Sequence, residues 1–327
     1  MSKPKVYVTR MIPEPGLALL REHCLVAVND RDRPLAREEL LANVRDAEGV
    51  IGQLTDKIDA GFFDAAARLK GYANYAVGYD NIDVAEASRR RLPVSNTPDV
   101  LTRATAELAW ALLFAVARRI VETDAVMRSG AWPGWGPLQF LGLDVSGKTL
   151  GILGPGRIGQ AMALMSQGFA MTVLYHGGSK PALAIEEKLG ARRVDFDTLL
   201  AESDFISIHA PLTPASRRLF GAEAFAKMKR TAVIVNTSRG PVIDEAALAV
   251  ALREKTIAGA GLDVYEFEPK MAEGLRELQN VVVTPHIGSA TRSTRDNMAL
   301  LAARNLLAML RGDTPPTCLN PEVLGKK

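Results

Sequence analysis

The sequence feature that most constrains the fold is a glycine-rich turn, GPGRIG, at residues 154–159, directly after the apolar run TLGIL. Glycines in this spacing allow a tight turn, a close approach of the backbone to a pyrophosphate, and close packing of a helix on a strand. A helix that begins near Arg157 would present free N–H groups and a positive dipole end to phosphate groups. The turn therefore predicts a dinucleotide-binding β-α-β unit, with cofactor contacts from Gly154, Gly156, Arg157, Ile158 and Gly159.

Short β-branched runs alternate with helical stretches along the chain, and this alternation predicts parallel sheets that helices cover on both faces. In the first part we expect strands at residues 5–9, 25–29, 49–53, 72–76 and 93–96. The pattern restarts after Lys148, with strands expected at residues 149–154, 171–176, 205–210, 232–237, 259–265 and 281–287. Most of these later runs are continuously apolar, which is typical of strands buried on both faces. The expected fold is α/β, with two doubly wound parallel-sheet (Rossmann-like) domains.

Two long helical segments indicate how the domains divide. One, at residues 104–121, joins the two sheets, and the other, at residues 292–310, follows the last strand. If the last helix packs back on the first sheet, the first domain is discontinuous. We therefore expect a flavodoxin-like substrate domain of residues 1–99 and 289–327, and a dinucleotide-binding Rossmann domain of residues 100–288.

The composition and charge argue against several other classes of protein. The net charge is only +3 and the longest basic run is Arg89–Arg91, whereas nucleic-acid binders concentrate their charge. The first residues lack the apolar core of a signal peptide, and the most apolar run, at residues 106–117, is shorter than the ~20 residues that a bilayer requires. Cys24 and Cys318 form neither a disulfide framework nor a metal-binding spacing. We expect a cytoplasmic protein with no nucleic-acid partner, no membrane partner and no metal.

The second strand of the dinucleotide unit bears on the choice of cofactor. In NAD-binding units, an acidic residue about 20 residues beyond the glycine turn binds the ribose 2′-hydroxyl. Here the run MTVLYH leads into Gly177 and Gly178 with no Asp or Glu, and Ser179 and Lys180 supply a hydroxyl and a cation. We therefore expect a preference for NADP(H). NAD(H) stays open, because the usual Arg is missing and the two glycines could form only a turn.

Polar residues that follow three buried strands of the second sheet indicate the chemistry. Reduction of a 2-oxo acid needs a cation for the carboxylate, a proton donor for the carbonyl oxygen, and a nicotinamide held against the carbon. Arg239 has the planar guanidinium that can bind a carboxylate through two hydrogen bonds. His286 is the candidate proton donor, and Glu268 beside it would fix its tautomer and favour its protonated form. The other histidines are expected to lie at the surface (His23) or to have positional roles near the cofactor (His176, His209).

Motifs spread over essentially the whole chain resemble those of the D-isomer-specific 2-hydroxyacid dehydrogenases. They occur in order at residues 77–83, 101–107, 154–159, 209–213, 236–245, 261–269 and 285–291. Within this family, the stretches WGPLQFLG and PPTCLNPEV resemble the glyoxylate/hydroxypyruvate reductases. The resemblance implies that Arg239, Glu268 and His286 form the catalytic set. It also implies reduction of glyoxylate or hydroxypyruvate to glycolate or D-glycerate by hydride transfer from NAD(P)H.

The resemblance extends to residues that spacing alone does not single out. It implies that the backbone N–H groups of Val77 and Gly78 bind the substrate carboxylate and that Leu54 lines the substrate pocket. Further cofactor contacts are implied at Thr105, Ala210, Pro211, Thr237, Asp263 and Gly288. Members of the family are dimers, and the irregular segment around residues 132–143 would reach the active site of the other subunit. We therefore expect a homodimer.

Three alternatives remain open from the sequence. The same reaction could act on a bulkier 2-oxo acid, which the pocket near Leu54, Gln139 and Phe140 would decide. A nucleotide-sensing corepressor of this fold would carry extra disordered tails, whereas this sequence ends soon after the last expected helix. A cofactor-binding protein without turnover would lack the catalytic residues. Val77 stands where phosphite dehydrogenases have Lys, and Glu268 stands where formate dehydrogenases have Gln, so those two substrates are not expected.

Overall fold

The computed structural model describes residues 3–31, 33–179 and 182–325. The chain divides into two compact units, Met1–Leu101 with Ser289–Lys327 and Thr102–Gly288. The strands are β1 (Lys5–Val8), β2 (Leu25–Val28), β3 (Gly49–Gly52), β4 (Gly71–Asn74), β5 (Val94–Ser95), β6 (Thr149–Leu153), β7 (Thr172–His176), β8 (Arg192–Arg193), β9 (Phe205–Ile208), β10 (Val233–Asn236), β11 (Gly259–Leu262) and β12 (Val281–Val283). The helices are α1 (Glu14–His23), α2 (Arg37–Asn43), α3 (Ala60–Ala65), α4 (Val84–Arg89), α5 (Thr102–Ala117), α6 (Ile120–Arg128), α7 (Arg157–Met165), α8 (Leu183–Leu189), α9 (Phe196–Glu202), α10 (Ala222–Lys227), α11 (Glu245–Arg253) and α12 (Arg292–Arg311).

Within the described residues, the first unit holds a parallel sheet of five strands in the order β2-β1-β3-β4-β5. This order is that of a flavodoxin-like doubly wound fold. The helix α12 packs back on this unit, since Ala299, Ala302 and Leu306 are fully buried. The hydroxyl of Tyr75 also donates to the carbonyl oxygen of Arg295 at 2.8 Å. The core of this unit therefore contains residues of α12 as well as residues from the first part of the chain.

In the described part of the chain, the second unit holds seven parallel strands in the order β12-β11-β10-β9-β6-β7-β8. The first strand of this unit, β6, lies in the interior of the sheet. The next two strands, β7 and β8, extend the sheet to one edge, and β9 then pairs with the opposite side of β6. Ligands of open α/β sheets bind at the carboxyl ends of the strands at such a reversal. Every residue of β9, β10 and β11 is buried, as expected for a sheet covered on both faces.

The predicted α/β fold with two doubly wound parallel sheets is confirmed, and each predicted strand is present. The edge strand β8 was not predicted, because its two exposed arginines carry none of the apolar signal of a buried strand. The prediction of one continuous helix at residues 104–121 is wrong, since α5 ends at Ala117 and α6 begins at Ile120. Arg119 between them has a φ of 53°, and the N–H of Leu143 donates to the carbonyl of Ala117 at 2.7 Å, which ends α5. Among the described residues, no helix is long and apolar enough to cross a membrane.

Candidate active site

The glycine-rich turn lies between β6 and α7, and the space available for a side chain differs at each of its three glycines. Gly154 has a φ of 87°, and a Cβ there would lie 2.5 Å from the backbone nitrogen of Ala210. A Cβ at Gly159 would lie 2.4 Å from the carbonyl oxygen of Gly154, so α7 packs closely on the turn only without a side chain there. Gly156, the N-cap of α7, differs, since a Cβ there would meet no atom within 4 Å. The surface beside Gly156 and the helix N-terminus at Arg157 is therefore open to a ligand such as a pyrophosphate.

The turn adjoins the ends of the neighbouring strands β7 and β9. The N–H of His209, just past β9, donates to the last residue of β6 at 2.7 Å, and the N–H of Gly154 donates to the carbonyl of His176 at 2.9 Å. Ala210 lies against the glycine turn, and Pro211 follows it at the surface. The glycine turn and the segment after β9 therefore meet at the reversal of strand order, where a dinucleotide is expected to bind.

Past β7, the chain turns through Gly177 and Gly178, which have φ values of 91° and 78°, and reaches the exposed Ser179. The guanidinium of Arg193, on the edge strand β8, donates to the carbonyl of Gly178 at 2.7 Å. Sequence reasoning missed Arg193, because β8 itself was not recognised. The other predicted contact, Lys180, lies outside the described residues. The loop after β7 thus carries a hydroxyl and has an arginine beside it.

Buried polar atoms at the carboxyl edge of this sheet lack a hydrogen-bond partner within the described residues, among them Nδ1 of His209 and Oγ1 of Thr237. Folded proteins rarely leave such atoms unsatisfied, so their position fits a site that a polar ligand completes. Nε2 of His209 lies 2.8 Å from the hydroxyl of Ser207, and burial lowers the pKa of His209 to about 3. His209 is therefore neutral and can form one more hydrogen bond, but it is not an acid. Together with the open surface at Gly156, these atoms fit a nicotinamide dinucleotide.

Glu268 and His286 meet at the same edge of the sheet, past β11 and β12 respectively. Nδ1 of His286 lies 2.9 Å from Oε2 and 3.2 Å from Oε1 of Glu268. Both side chains are partly exposed, at 30% and 31%. Burial raises the pKa of Glu268, but the hydrogen bond and the charge of His286 outweigh it, so this pKa lies below its ordinary value. Glu268 is therefore a carboxylate at neutral pH, and it orients the imidazole.

Arg239 follows β10, and Asn236 holds its backbone by donating from Nδ2 to the carbonyl of Arg239 at 3.0 Å. The next residue, Gly240, packs so closely on Tyr265 that a Cβ would lie 1.8 Å from the carbonyl carbon of Tyr265. This contact joins the segment that carries Arg239 to the segment that carries Glu268. Arg239 is near enough for its charge to favour the ionised form of Glu268. The structure thus brings the three predicted catalytic residues to one edge of one sheet.

Asp263 holds the loop that carries His286. It is 1% exposed, and its carboxylate accepts hydrogen bonds from the N–H groups of Ile287 at 2.7 Å and Gly288 at 2.8 Å. These bonds keep His286 at a φ of 54°, a conformation that costs a residue with a side chain about 1–3 kcal/mol. A Cβ at Gly288 would lie 3.4 Å from Cγ2 of the buried Thr105, so Thr105 adjoins the same loop. Two residues that the family resemblance placed near the cofactor, Thr105 and Asp263, therefore surround the base of this loop.

The first unit carries the predicted substrate-binding residues at the ends of its own strands. Leu54 follows β3 and is half-buried, and Val77 and Gly78 follow β4. The carbonyl oxygens of Val77 and Gly78 accept hydrogen bonds of 2.8 Å from the side chains of Asn96 and Asn74. Within the described residues, no acceptor is assigned to the N–H groups of Val77 and Gly78. Two adjacent N–H groups of this kind can bind an anion.

Comparisons with known proteins agree with this geometry. Residues 110–288 match the family model described as "D-isomer specific 2-hydroxyacid dehydrogenase, NAD binding domain". The glyoxylate reductase of Thermococcus onnurineus is 52% identical over 326 residues, which cover 98% of this chain and 97% of that protein. The glyoxylate reductase of Pyrococcus furiosus is 50% identical over 326 residues, which cover 98% of this chain and 97% of that protein.

Solved structures share the fold along almost the whole chain. A crystal structure of a protein from Thermus thermophilus has a TM-score of 0.91 and 45% identity, and covers 96% of this chain and 99% of its own. The NADPH-dependent glyoxylate/hydroxypyruvate reductase of Sinorhizobium meliloti, solved in complex with NADP and malonate, has a TM-score of 0.87 and 32% identity, and covers 100% of this chain and 99% of its own. This chain therefore belongs to the D-isomer specific 2-hydroxyacid dehydrogenase family.

Proposed function

We propose that this protein reduces glyoxylate and hydroxypyruvate to glycolate and D-glycerate by hydride transfer from NAD(P)H. The observation that carries the proposal is the contact of Glu268 with His286, with Arg239 nearby, at the ligand-binding edge of a dinucleotide-type sheet. The choice of substrate is supported by relatives that are 50% and 52% identical and are named glyoxylate reductases. The reaction is the transfer of a hydride to the 2-carbon and of a proton to its oxygen.

The residues present fit a nicotinamide dinucleotide, which when bound supplies the hydride. The glycine turn and the N-terminus of α7 would bind its pyrophosphate. The other residues that would contact it are Thr105, Arg157, Ile158, Ala210, Pro211, Thr237, Asp263 and Gly288. Nδ1 of His209 and Oγ1 of Thr237 would be available to hydrogen-bond with the dinucleotide, since neither has a partner within the described residues.

Each catalytic side chain has a separate task in the reduction. The guanidinium of Arg239 binds the carboxylate of the 2-oxo acid and so positions the carbonyl carbon. Because Nδ1 of His286 faces Glu268, the proton that goes to the carbonyl oxygen comes from Nε2. The negative charge of Glu268 favours the protonated imidazole before this step and accepts the Nδ1–H bond after it. The product is a 2-hydroxy acid, and His286 is left neutral.

The two units have different tasks in this proposal. Residues 1–99 and 289–327 form the substrate domain, in which the N–H groups of Val77 and Gly78 bind the substrate carboxylate and Leu54 limits the space beside it. Residues 100–288 form the dinucleotide domain. The support for the first task is that the carbonyl oxygens of Val77 and Gly78 are already held by asparagine side chains, while their N–H groups have no assigned acceptor within the described residues.

NADP(H) is the preferred cofactor in this proposal. Residues 177–182, directly after β7, include no Asp or Glu. Ser179 is exposed there, and Arg193 of β8 donates to the carbonyl of Gly178 in this loop. A guanidinium beside a hydroxyl suits a 2′-phosphate, whereas an acid would repel it. The relative from Sinorhizobium meliloti was solved with NADP.

The protein is a homodimer in this proposal, and it works in the cytoplasm. The segment at residues 130–147 contains no helix or strand and exposes Trp135 by 82% and Leu138 by 83%. Val121 and Leu141 also line a cavity of about 650 Å³ at the amino ends of β10 and β11. Apolar surface of this kind is typically covered by a second subunit. Free Cys24 and Cys318 suit a reducing compartment.

The experiment that tests the function is a panel of 2-oxo acids, assayed by absorbance with NADPH and with NADH. We expect kcat/KM for glyoxylate and hydroxypyruvate to exceed kcat/KM for pyruvate and phenylpyruvate. Faster reduction of an aromatic 2-oxo acid would contradict the proposed substrate but not the proposed reaction. The absence of reduction with every acid in the panel would contradict both.

A further inference from the structure

Glu245, the first residue of α11, is a buried carboxylate outside the proposed catalytic set, and it is 2% exposed. One of its oxygens accepts a hydrogen bond from the N–H of Glu266, and the other accepts one from the N–H of Ala272 at 2.9 Å. These two donors lie on either side of Glu268 in the chain. One side chain therefore spans the base of the loop that carries Glu268.

The loop itself has little regular structure to hold it. Within the described residues, no helix or strand lies between β11 and β12, and Phe267, next to Glu268, is 65% exposed. An ion pair of 2.7 Å between Arg218 and Glu266 adds a further contact, in which the side chain of Arg218 is 53% exposed and that of Glu266 is 6% exposed. The two hydrogen bonds to Glu245 thus attach the backbone of the loop, on both sides of Glu268, to a buried side chain.

A capping role does not explain the carboxylate at Glu245. Asp244 is the N-cap of α11 and accepts a hydrogen bond from the N–H of Ala247 at 3.0 Å, so the helix already has its side-chain acceptor. Burial raises the pKa of Glu245, and the nearby charges of Glu266 and Glu268 raise it further. A carboxylate is unfavourable in such a place unless its hydrogen bonds offset the loss of water. Both of its hydrogen bonds go to the loop, which indicates that Glu245 holds the loop in place.

We propose that Glu245 is a positioning residue that fixes the loop from which Glu268 faces His286. This inference rests on the proposed function, in which Glu268 and His286 act as a pair. Two hydrogen bonds at the base of the loop limit the backbone positions open to Glu268 and keep its carboxylate within reach of Nδ1. Without them, the carboxylate spends part of its time away from the imidazole, and the protonated form of His286 is less favoured.

The readout is the pH dependence of reduction. This dependence would not change if Glu245 only stabilised the fold. The ionisable groups around the pair are Arg239, Glu245, Asp263, Tyr265 and Glu266. Burial raises the pKa of Tyr265 to about 12, so it does not titrate in the range of the assay. Of these groups, only Glu245 is changed in the variants below.

The test measures kcat/KM for glyoxylate against pH in Glu245→Gln and Glu245→Asp. Gln loses the charge and cannot accept from both N–H groups, whereas Asp keeps the charge but is one methylene too short to reach both. The alkaline limb is the part of the pH profile in which activity falls as the pH rises. We expect this limb to lie at a lower pH in both variants than in the wild type, closer to its position in Glu268→Gln. Each pH unit of movement lowers kcat/KM above the limb about tenfold. The Asp variant separates the loss of reach from the loss of charge, and it decides the question if the Gln variant does not fold.

A double-mutant cycle and a matched control complete the design. Glu245→Gln added to Glu268→Gln should leave the limb where the single Glu268 variant has it, because no carboxylate remains to be positioned. Asp204 is the control, since its carboxylate accepts from the N–H of Thr149 at 2.9 Å and from Lys229 at 2.8 Å elsewhere in the unit. Asp204→Asn should lower the melting temperature and leave the limb in place.

The outcomes separate this inference from the proposed function. If Glu268→Gln moves the limb while both Glu245 variants keep the wild-type limb, Glu245 is not a positioning residue and the proposed function stands. If Glu268→Gln itself leaves the limb unchanged, the pairing and this inference are both wrong. Movement of the limb in both Glu245 variants, without additivity in the cycle, supports the positioning role.

Discussion

Nδ1 of His286 lies 2.9 Å from Oε2 of Glu268, so one nitrogen of the imidazole is engaged by the protein itself. Asp263 holds the backbone of the same loop through the N–H groups of Ile287 and Gly288. His286 is therefore fixed at both its side chain and its backbone. Its second nitrogen is left for the substrate, which is the arrangement that a general acid for a carbonyl oxygen requires.

Arg239→Lys keeps the positive charge but loses the planar guanidinium. We expect kcat/KM for glyoxylate to fall roughly 10- to 100-fold, the equivalent of one charge-assisted hydrogen bond, while Kd for NADPH stays close to the wild-type value. Steady-state kinetics and a fluorescence titration with NADPH measure the two effects. Arg230→Lys, at an exposed arginine of the same unit, is the control. Weak NADPH binding with an unchanged KM for glyoxylate would place Arg239 in the nucleotide site instead.

Arg193→Gln should lower kcat/KM with NADPH roughly tenfold and change kcat/KM with NADH little, because only NADPH carries a 2′-phosphate for a charge-assisted hydrogen bond. The matched control is Arg192→Gln, since Arg192 is adjacent in β8 but pairs with Glu202 at 3.1 Å. Kinetics with both cofactors measure the effect. An equal loss with NADPH and NADH would show that Arg193 makes no contact specific to the phosphate.

An acid in the loop after β7 should shift the preference toward NADH, because a carboxylate repels a 2′-phosphate and binds a 2′-hydroxyl. Gly177 and Gly178 have positive φ values, so a new side chain at either one would be strained. Ser179→Asp is the cleaner variant, and Ser179→Ala is its control for loss of the hydroxyl. A wild-type enzyme that prefers NADH would contradict the assigned cofactor preference at the outset.

His209 makes the stability of the fold depend on pH. Burial lowers its pKa to about 3 from an ordinary 6.5, so in this range the unfolded chain binds a proton that the folded chain does not. The associated stability is present above 6.5 and is lost as the pH falls toward 3. The drop in melting temperature between about pH 7 and about pH 5 should therefore be smaller in His209→Gln than in the wild type. His23→Gln, at an exposed histidine, should keep the wild-type drop, and an identical drop in His209→Gln would show that His209 is protonated when folded.

The exposed apolar segment should hold two subunits together. Leu138, which is 83% exposed, would be buried in the proposed dimer, so Leu138→Glu should give monomers by size-exclusion chromatography with light scattering. Leu183→Glu is the control, because Leu183 is a 59% exposed leucine on α8 and is not part of this segment. A wild-type protein that is monomeric at micromolar concentration would exclude the dimer.

The sequence was most informative about the fold where hydrophobic burial decides the structure. The strands β6, β9 and β10 are mostly apolar runs, which is typical of strands buried on both faces of a sheet. The strand β8 is two exposed arginines that pair with β7 by backbone hydrogen bonds, which leave no pattern of side chains. The break between α5 and α6 depends on a hydrogen bond from Leu143, which is distant in sequence. Such tertiary contacts are not visible in a local window.

The same distinction holds at the site. That Arg239, Glu268 and His286 lie at one edge of the sheet could be predicted, because each follows a strand of one parallel sheet and parallel strands end at one edge. The contact of Glu245 with the loop could not be predicted, because the groups that it binds are the backbone N–H groups of Glu266 and Ala272, which leave no signal in the sequence. Arg193 was not predicted as a cofactor contact, because β8, the strand that carries it, was not predicted either.

The pH dependence of reduction tests the central claim, that Glu268 keeps His286 ready to donate a proton. The hydrogen bond and charge of His286 outweigh burial and hold the pKa of Glu268 below its ordinary value, so Glu268 is ionised throughout the assay range. Glu268→Gln keeps the size but removes this charge, and the protonated imidazole is then less favoured at any given pH. His286→Ala serves as the reference, and it should lose about 10²–10⁴-fold at every pH, because it removes the acid itself.

The decisive measurement is therefore kcat/KM for glyoxylate reduction against pH in the wild type and in Glu268→Gln. We expect the activity of Glu268→Gln to fall away at a lower pH than that of the wild type, because the carboxylate that faces the imidazole has lost its charge. Well below that limb, part of the activity should survive, because the proton donor is intact. An alkaline limb in Glu268→Gln that coincides with that of the wild type would contradict the pairing of Glu268 with His286.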